Sequence, residues 1–166
     1  MTITIRAQTP ADIKTIEAIN AAAFKREDSG GAFDVIRRNR KDIVSIVALH
    51  ADQVVGHVLF SPAILATTTG EIQGMGLGQL AVEPRLQNQG IGTLLSEHGI
   101  DALRRNNCPF VIVVGHASYY PRFGFEPGHL HGIQCQWEGI PANNFMVLFP
   151  CGKQPNLVGL ASFVDM

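Results

Sequence analysis

The sequence predicts an α+β fold on a mixed, mostly antiparallel sheet. Residues 44–60 indicate two apolar strands joined by the turn Ala51-Asp52-Gln53, which is typical of an antiparallel hairpin. Residues 73–114 indicate a strand, a helix of about four turns and a second strand, and a crossover of this kind joins parallel neighbours. No repeat or linker interrupts the chain, so a single domain over residues 1–166 is expected.

The first 40 residues predict one strand and two helices. Thr9 and Asp12 flank a proline at the first helical position, and this combination of cap hydroxyl, proline and carboxylate indicates a helix start. The elements expected here are a strand over 3–7, a helix from Pro10 to about Phe24, a polar connection over 25–31 and a second helix over 32–40.

The second helix carries a basic cluster. A run of cations on a helix is usually a solvated face, and binding of an acidic substrate is the alternative interpretation. The cluster comprises Arg37, Arg38, Arg40 and Lys41.

The remaining elements follow from apolar runs and turn residues. Gly74, Gly76 and Gly78 alternate along the strand that ends at Val82, and the bare face they leave either admits a ligand or makes room for packing. The expected elements are a hairpin whose second strand is interrupted at Pro62, a turn at 67–70, a strand over 73–82, a helix from Gly90 to 106–107, a strand over 110–114, a short aromatic helix or turn over 118–123, a strand near Phe125, a loop over 127–140 and a last strand over 145–149.

The bulk composition narrows the class of protein. Thirteen Lys and Arg against fourteen Asp and Glu lack the basic excess of a protein that wraps nucleic acid. Three cysteines without C-x-x-C spacing favour reduced thiols, and no apolar run approaches the roughly 20 residues that cross a bilayer. The N-terminus lacks a secretory signal pattern. We therefore expect a cytoplasmic protein without nucleic-acid or membrane partners.

A metal site is not expected. His129, His131 and Cys135 lie close together in the sequence, but they supply only three donors in a loop without a recognised metal spacing.

The stretch from Leu80 to Leu95 is predicted to be a strand end, a loop and a helix start. The first turn of a helix offers main-chain N–H groups without internal partners and the positive end of the dipole, so it can seat a phosphate without lysine. Gly90 and Gly92 leave room for the anion, and Thr93 adds a hydroxyl donor. An ordinary tight turn would use the same glycines, and the pattern matches neither a Walker loop nor a dinucleotide fingerprint.

Q-x-x-G-x-G at Gln87, Gly90 and Gly92, after a strand ending in Val82-Glu83-Pro84, resembles the signature of the GNAT superfamily of acetyl-CoA-dependent N-acetyltransferases. The separate run Tyr119–Phe125 is similar to the family's Y-x-x-x-G-F block, and the longer run Gly115–Phe125 resembles a bacterial subgroup of small N-acetyltransferases. The resemblance covers most of the chain in element order, but only residues 78–125 in specific motifs.

The resemblance implies helices on both faces of the sheet and a parallel strand pair that splays apart to admit the pantetheine arm of acetyl-CoA. Main-chain groups of Leu80 and Val82 would polarise the thioester carbonyl and hold the oxyanion of a tetrahedral intermediate. The cofactor-binding residues that it implies are Leu80, Ala81, Val82, Gln87, Asn88, Gln89, Gly90, Ile91, Gly92, Thr93, Tyr119 and Phe123.

The implied reaction is direct attack of a primary amine, on a small molecule or peptide, on the donor thioester. Tyr120, in the tyrosine position of the block, is the candidate general acid for the leaving thiolate, and packing beside Phe123 and Phe125 is the alternative role. The general base stays open. Many relatives carry a glutamate where this strand has Gln79.

The candidates for proton acceptance are bulk solvent, His116, His57 and a water oriented by Gln79. A non-catalytic acyl-CoA-binding or sensing module on the same fold is the alternative function. The acceptor, the length of the acyl group and the oligomeric state are not fixed by the sequence, and residues 157–160 are a candidate segment for pairing with a second chain in a homodimer.

Overall fold

The computed structural model describes residues 1–24 and 31–166, and all of the predicted polar connection except Gly31 lies outside the described residues. The strands are β1 (Thr4–Ala7), β2 (Val44–His50), β3 (Gln53–Thr67), β4 (Gly70–Val82), β5 (Val111–Val114), β6 (Glu126–Pro127), β7 (Ile133–Cys135), β8 (Phe145–Leu148) and β9 (Gly159–Phe163). The α-helices are α1 (Ile13–Phe24), α2 (Ala32–Asn39) and α3 (Ile91–Arg105). Within the described residues, no helix combines the length and the apolar character needed to span a membrane.

The strands form a mixed sheet in the order β1-β2-β3-β4-β5-β8-β6, and β9 pairs with β3 and β7. The pairs β4–β5 and β7–β9 are parallel, and the pairs β1–β2, β2–β3, β3–β9, β5–β8 and β6–β8 are antiparallel. The β4–β5 register runs from Met75↔Val111 to Leu77↔Val113, whereas β4 itself continues to Val82. The predicted α+β class and the parallel pair around the crossover helix are confirmed.

The chain packs into two compact units. The first comprises residues 1–60 and 78–100, and the second comprises residues 61–77 and 101–166. The second unit buries large side chains of β5, β7 and β8 and of the segments beside them, among them Phe110, Ile112, Phe125, Ile133, Met146 and Leu157.

In the first unit, α3 lies close against β3. A Cβ added at Gly56 would lie 3.2 Å from a Leu95 methyl and 3.4 Å from an Ile91 methyl, and a Cβ at Gly99 would lie 2.2 Å from the Phe60 ring. Ile91, Leu95 and Phe60 are almost completely buried. The start of α3 is therefore held rigidly on the sheet, which matters for the loop that precedes it.

Strand β3 is longer than predicted, because Pro62 does not end it. The strand pairs with β2 as far as Phe60 and with β9 from Ala63, so the proline, which has no N–H, falls between two partners. Its carbonyl accepts a hydrogen bond from the N–H of Val164 at 2.9 Å.

Strands β7 and β9 have no counterpart among the predicted elements. They are three and five residues long, and β7 falls within the predicted loop over 127–140. Such short strands depend on pairing with distant residues more than on local pattern. Strand β9 pairs with β3 on one edge and with β7 on the other, and pairing of residues 157–160 with a second chain stays a prediction.

Asp12 ties the start of the first helix to β1. Its carboxylate accepts hydrogen bonds at 2.7 Å from the guanidinium of Arg6 and from the N–H of Thr9. The Arg6 contact, with help from Thr9, lowers the pKa of Asp12 to about 2 against the opposing effect of burial.

Replacing Asp12 with asparagine is expected to lower the free energy of unfolding by about 1–2 kcal/mol at pH 7. Because the pKa of Asp12 is lower in the folded chain than in the unfolded chain, this stabilisation is complete above the unfolded value of 3.8 and is lost as the pH falls to about 2. Urea denaturation of both proteins at neutral and acidic pH measures the difference. A difference in the free energy of unfolding that stays constant into the acidic range would contradict this effect of the Asp12 carboxylate.

Candidate functional site

The loop between β4 and α3 is anchored by Gln87. Its Nε2 donates a hydrogen bond to the carbonyl of Val82 at 3.1 Å, and its main-chain N–H donates to the carbonyl of Pro84 at 3.3 Å. The N–H of Glu83 donates to Val55 of β3 at 2.8 Å, which fixes the end of β4. The main-chain N–H of Gln87 is therefore already hydrogen-bonded, and the residue positions the loop instead of offering this N–H to an anion.

The residues after Gln87 present main-chain N–H groups at the start of α3. Asn88 and Gly90 have φ values of 61° and 88° on either side of Gln89, and alternation of this kind turns successive N–H groups toward one concavity. All three residues are exposed, and a Cβ at Gly90 would meet no atom within 4 Å. The N–H of Leu94 makes a helical hydrogen bond to Gly90 at 3.0 Å, and over the part of the chain that the structure describes the N–H groups of the turn before it have no helical acceptor.

The N–H groups of strand β4 do not alternate regularly between its two edges along the whole strand. The N–H of Met75 donates to Phe110, on the β5 side, at 3.1 Å, whereas the N–H of Glu83 donates to Val55, on the β3 side. In a regular strand, N–H groups eight residues apart face the same edge, so β4 contains a β-bulge between these two residues.

Gly78 and Gln79 locate the bulge. Consecutive side chains of a regular strand lie on opposite faces. Here a Cβ at Gly78 would lie 2.3 Å from the ring of Phe33 in α2, and the side chain of Gln79 bonds to Arg37, also in α2. Both residues therefore face the same helix, which is the geometry that one extra residue in the strand produces.

Beyond the bulge, main-chain groups of Leu80 and Val82 face the edge of β4 that is turned away from β3. They alternate with Glu83, whose N–H faces β3. The carbonyl of Val82 accepts the side chain of Gln87. The N–H of Val82 and both main-chain groups of Leu80 are directed to the same edge, at the positions that the resemblance assigns to the thioester.

A cluster of buried polar side chains joins α1, α2, β3 and β4. Gln79 Oε1 accepts hydrogen bonds from Arg37 and from Asn20 Nδ2, the latter at 3.3 Å, and Arg37 Nη1 donates to Asp34 Oδ1 at 2.6 Å. His57 of β3 is the fifth member, and no member is more than 5% exposed. Asn20, Asp34 and Arg37 were not predicted as site residues. The i,i+3 spacing of Asp34 and Arg37 indicates an ion pair but not its burial.

The charges in this cluster are enclosed. Burial lowers the pKa of Arg37, against the effect of Asp34, which raises it. Burial, and after it the charge of Arg37, lowers the pKa of His57 well below its ordinary value, so the imidazole is neutral at pH 7. His57 is 0% exposed, and the carbonyl of Gln79 is already bonded. His116 is exposed, and bulk solvent, His116 and a water oriented by Gln79 stay predictions for the base.

Several polar atoms of the cluster have no protein partner within the described residues. They are Asn20 Oδ1, Asp34 Oδ2, Arg37 Nε and both ring nitrogens of His57. Buried polar atoms are normally hydrogen-bonded, and ordered water satisfies those that the protein does not.

Arg37 departs from the rest of the basic cluster. Arg38 pairs with Glu17 and Arg40 pairs with Asp42, each at 2.6 Å, which agrees with a solvated helix face. Arg37 is 3% exposed, so that interpretation is wrong for this residue.

Tyr120 lies in an aromatic cluster of the second unit. The rings of Tyr119 and Phe125 meet it edge-on, with centroids 5.1 and 5.8 Å away, and Phe123 lies at 6.5 Å. A Cβ at Gly115 would lie 2.4 Å from the Tyr120 ring, so glycine makes room for it. Burial raises the pKa of Tyr120 to about 12, with a smaller effect from Tyr119. The ring therefore packs, while the hydroxyl remains protonated at neutral pH.

The glycines of β4 and the histidine His131 have close neighbours. The alternating glycines of β4 make room for packing, since a Cβ at Gly74 or Gly76 would lie 2.6 Å or 2.1 Å from the rings of Phe110 or Phe163. His131 contacts Glu126 at 3.3 Å. Over residues 1–24 and 31–166, no three His, Cys, Asp or Glu side chains are placed to hold a metal ion.

Known proteins are similar to this chain in sequence. The family model described as Acetyltransferase (GNAT) domain matches residues 4–128. The Escherichia coli K12 protein "Uncharacterized N-acetyltransferase YjhQ" is 38% identical over 120 residues, which are 70% of this chain and 64% of that protein, so the match spans less than two thirds of its length. "Uncharacterized N-acetyltransferase YhbS" of the same strain is 31% identical over 137 residues, which are 81% of this chain and 80% of that protein.

Solved structures are similar over nearly the whole chain. The GNAT family N-acetyltransferase YhbS from Escherichia coli, in complex with CoA, has a TM-score of 0.85 at 26% identity and covers 97% of this chain and 89% of its own. A GNAT family acetyltransferase from Brucella melitensis, in complex with acetyl-CoA, has a TM-score of 0.77 at 27% identity and covers 98% and 96%. With the family match over residues 4–128 and the relatives above, the chain belongs to the GNAT family of acetyltransferases.

Proposed function

We propose that the chain transfers an acetyl group from acetyl-CoA to a primary amine of a small molecule or peptide. The observation that carries the proposal is the row of exposed main-chain donors at the start of α3, on a loop held by Gln87. The two similar structures that hold CoA or acetyl-CoA support the same donor here.

The start of α3 fits a diphosphate. The N–H groups of residues 88–93 supply donors, the helix dipole favours an anion, and the space beside Gly90 is open. The side chain of Thr93 adds a hydroxyl, and Gly92 keeps the first turn free of a side chain. Gln87 contributes to this diphosphate-binding site indirectly, by holding the loop against the end of β4.

Strand β4 holds the acyl end of the donor. Main-chain groups of Leu80 and Val82 face the required edge and pair with the pantetheine arm, whereas the carbonyl of Ala81 faces Gly56 of β3, so the pairing expected for Ala81 does not fit this geometry. An N–H placed there stabilises negative charge on the carbonyl oxygen as the amine attacks, an effect typically worth about 3–4 kcal/mol. The thioester supplies the acetyl group and a good leaving group.

Tyr120 donates a hydrogen bond to the leaving sulfur, and Tyr119 and Phe123 line its surroundings. Because the pKa of Tyr120 is raised to about 12, the phenol is a donor throughout the neutral range. Full proton transfer to a thiolate whose conjugate acid has a pKa of about 8.5 is uphill, so stabilisation through the hydrogen bond is the larger contribution.

Replacing Tyr120 with phenylalanine is expected to lower kcat about 10-fold and to leave the KM for acetyl-CoA unchanged, because only the hydroxyl is lost. Steady-state thiol release measures both constants. Tyr119→Phe is the matched control, since it removes the neighbouring hydroxyl from the same aromatic cluster. Equal kcat values for Tyr120→Phe and the unaltered protein would leave Tyr120 with a packing role alone.

Two measurements test the function itself. Calorimetric titration with acetyl-CoA and with ATP is expected to show binding of the first and none of the second. Thiol release over a panel of primary amines is then expected to show turnover. Binding without turnover for any amine would favour a non-catalytic acyl-CoA-binding module, and the absence of binding would contradict the proposal.

The compartment is part of the proposal. Cys108, Cys135 and Cys151 are free thiols, which fits the reducing conditions of the cytoplasm.

A further inference from the structure

Arg37, Asn20 and Gln79 form a contact that the reaction proposed above does not use directly. Gln79 lies at the bulge of β4, one residue before Leu80. We propose that Arg37 and Asn20 are positioning residues: they hold the Gln79 side chain, and through it the bulge that turns the main-chain donors of Leu80 and Val82 toward the donor edge. This inference rests on the proposed function.

The contact fixes both the place and the orientation of the Gln79 side chain. Its Oε1 accepts from Arg37 on α2 and from Asn20 on α1, so two helices hold one atom of the strand. Arg37 is in turn held by Asp34, one helical turn earlier, at 2.6 Å. With the carbonyl oxygen bound by two donors, the amide group has a single orientation.

A bulge needs such restraint because it can move along a strand. The extra residue lacks a regular partner, and a shift by one position exchanges the edges that successive N–H groups face. Gly78 has no side chain, and the side chain of Gln79 is polar. Apolar packing alone therefore does not determine whether the bulge lies at these residues or one residue away. Phe33 over Gly78 and Arg37 on Gln79 fix the bulge at these residues.

Stability alone does not explain the buried ion pair. Apolar residues of similar volume in place of such a pair often leave stability unchanged or improve it. Within the described residues, Asp34 Oδ2 and Arg37 Nε also lack protein partners, so the pair is incompletely satisfied. A costly, buried cation whose second contact is Gln79 is better explained by what it positions.

The test uses a single variant, a double variant and a control, and the second readout adds Gln79→Glu. Gln79→Met removes the acceptor atom and keeps the side-chain length. The double variant Asp34→Leu with Arg37→Met removes both charges together, so no lone charge is left buried. Gln73→Met is the matched control, because Gln73 is an exposed glutamine of the same strand.

The first readout is the amide resonances of residues 80–82 in the donor-free protein. We expect them to shift in Gln79→Met and in the double variant, and to stay in place in Gln73→Met. Unshifted resonances in the first two variants would overturn the inference. This readout does not require acetyl-CoA to bind, so the proposed function can fail while the positioning role stands.

The second readout separates positioning from folding. We expect kcat to fall about 10-fold in Gln79→Met and in the double variant, while CoA affinity and the melting temperature of the double variant stay close to those of the unaltered protein. Gln79→Glu keeps an acceptor for Arg37 and Asn20 and is expected to retain kcat. Unchanged kcat in both altered proteins, or kcat and CoA affinity falling together, would overturn the positioning role.

Discussion

Replacing Gly90 with valine is expected to weaken acetyl-CoA binding about 100-fold. Gly90 has a φ of 88°, which β-branched residues adopt only under strain, so the loop would relax and its N–H groups would turn away from the diphosphate. Loss of about two charge-assisted hydrogen bonds accounts for the expected factor. Calorimetric titration measures the affinity directly.

Gly152→Val is the matched control for this prediction. Gly152 has a φ of 89°, and a Cβ there would also meet no atom within 4 Å. Both substitutions therefore place a β-branched residue at nearly the same positive φ, but Gly152 lies in the second unit, outside the α3 loop. Equal losses of affinity in the two variants would show that strain alone is responsible, and would contradict a specific role for the Gly90 loop.

Replacing Arg37 alone with methionine is expected to cost about 3–5 kcal/mol of the free energy of unfolding. The substitution leaves the Asp34 carboxylate buried without its cation, and it leaves Gln79 with one donor instead of two. A loss of this size is a large part of the roughly 5–15 kcal/mol that stabilises an ordinary domain. Urea denaturation of the donor-free protein measures it.

Arg38→Met is the control on the same helix. Arg38 is 54% exposed and pairs with Glu17 at 2.6 Å, and exposed pairs contribute at most about 1 kcal/mol. The double variant that also removes the Asp34 charge is expected to recover most of the lost stability. If Arg37→Met were no more destabilising than Arg38→Met, the buried pair could not hold the strand as described.

The parts of the fold that follow from local pattern could be predicted from the sequence. The hairpin of β2 and β3 and the crossover from β4 through α3 to β5 depend on apolar periodicity and turn residues within about 15–40 positions. Strands β7 and β9 could not be predicted in this way, because their pairing partners are far along the chain. The continuation of β3 past Pro62 could not be predicted either, because it depends on a change of pairing partner from β2 to β9.

The residues of the candidate site likewise divide into those that the sequence predicts and those that it does not. Gln87, Gly90 and Gly92 are visible as a motif, because their roles depend on a single loop and helix start. The burial of Arg37 is not visible, since its neighbours Arg38 and Arg40 have the same charge and face solvent. The bulge of β4 likewise appears only when the partners of Met75 and Glu83 are known.

The site in the first unit therefore has two layers. In the proposed function, main-chain donors of Leu80, Val82 and residues 88–93 meet the donor molecule. A buried layer of polar side chains behind β4 sets the direction of the strand donors. Substitutions at residues 88–93 are expected to act on affinity, and those in the buried layer on kcat.

The most direct test of the central claim is a titration of the isotope-labelled protein with CoA, followed through its main-chain amide resonances. We expect the amides of residues 88–93 to shift most within the α3 loop, and the amide of Gln87, which already donates to Pro84, to shift little. Saturable binding of CoA with the amides of residues 88–93 unmoved would contradict it.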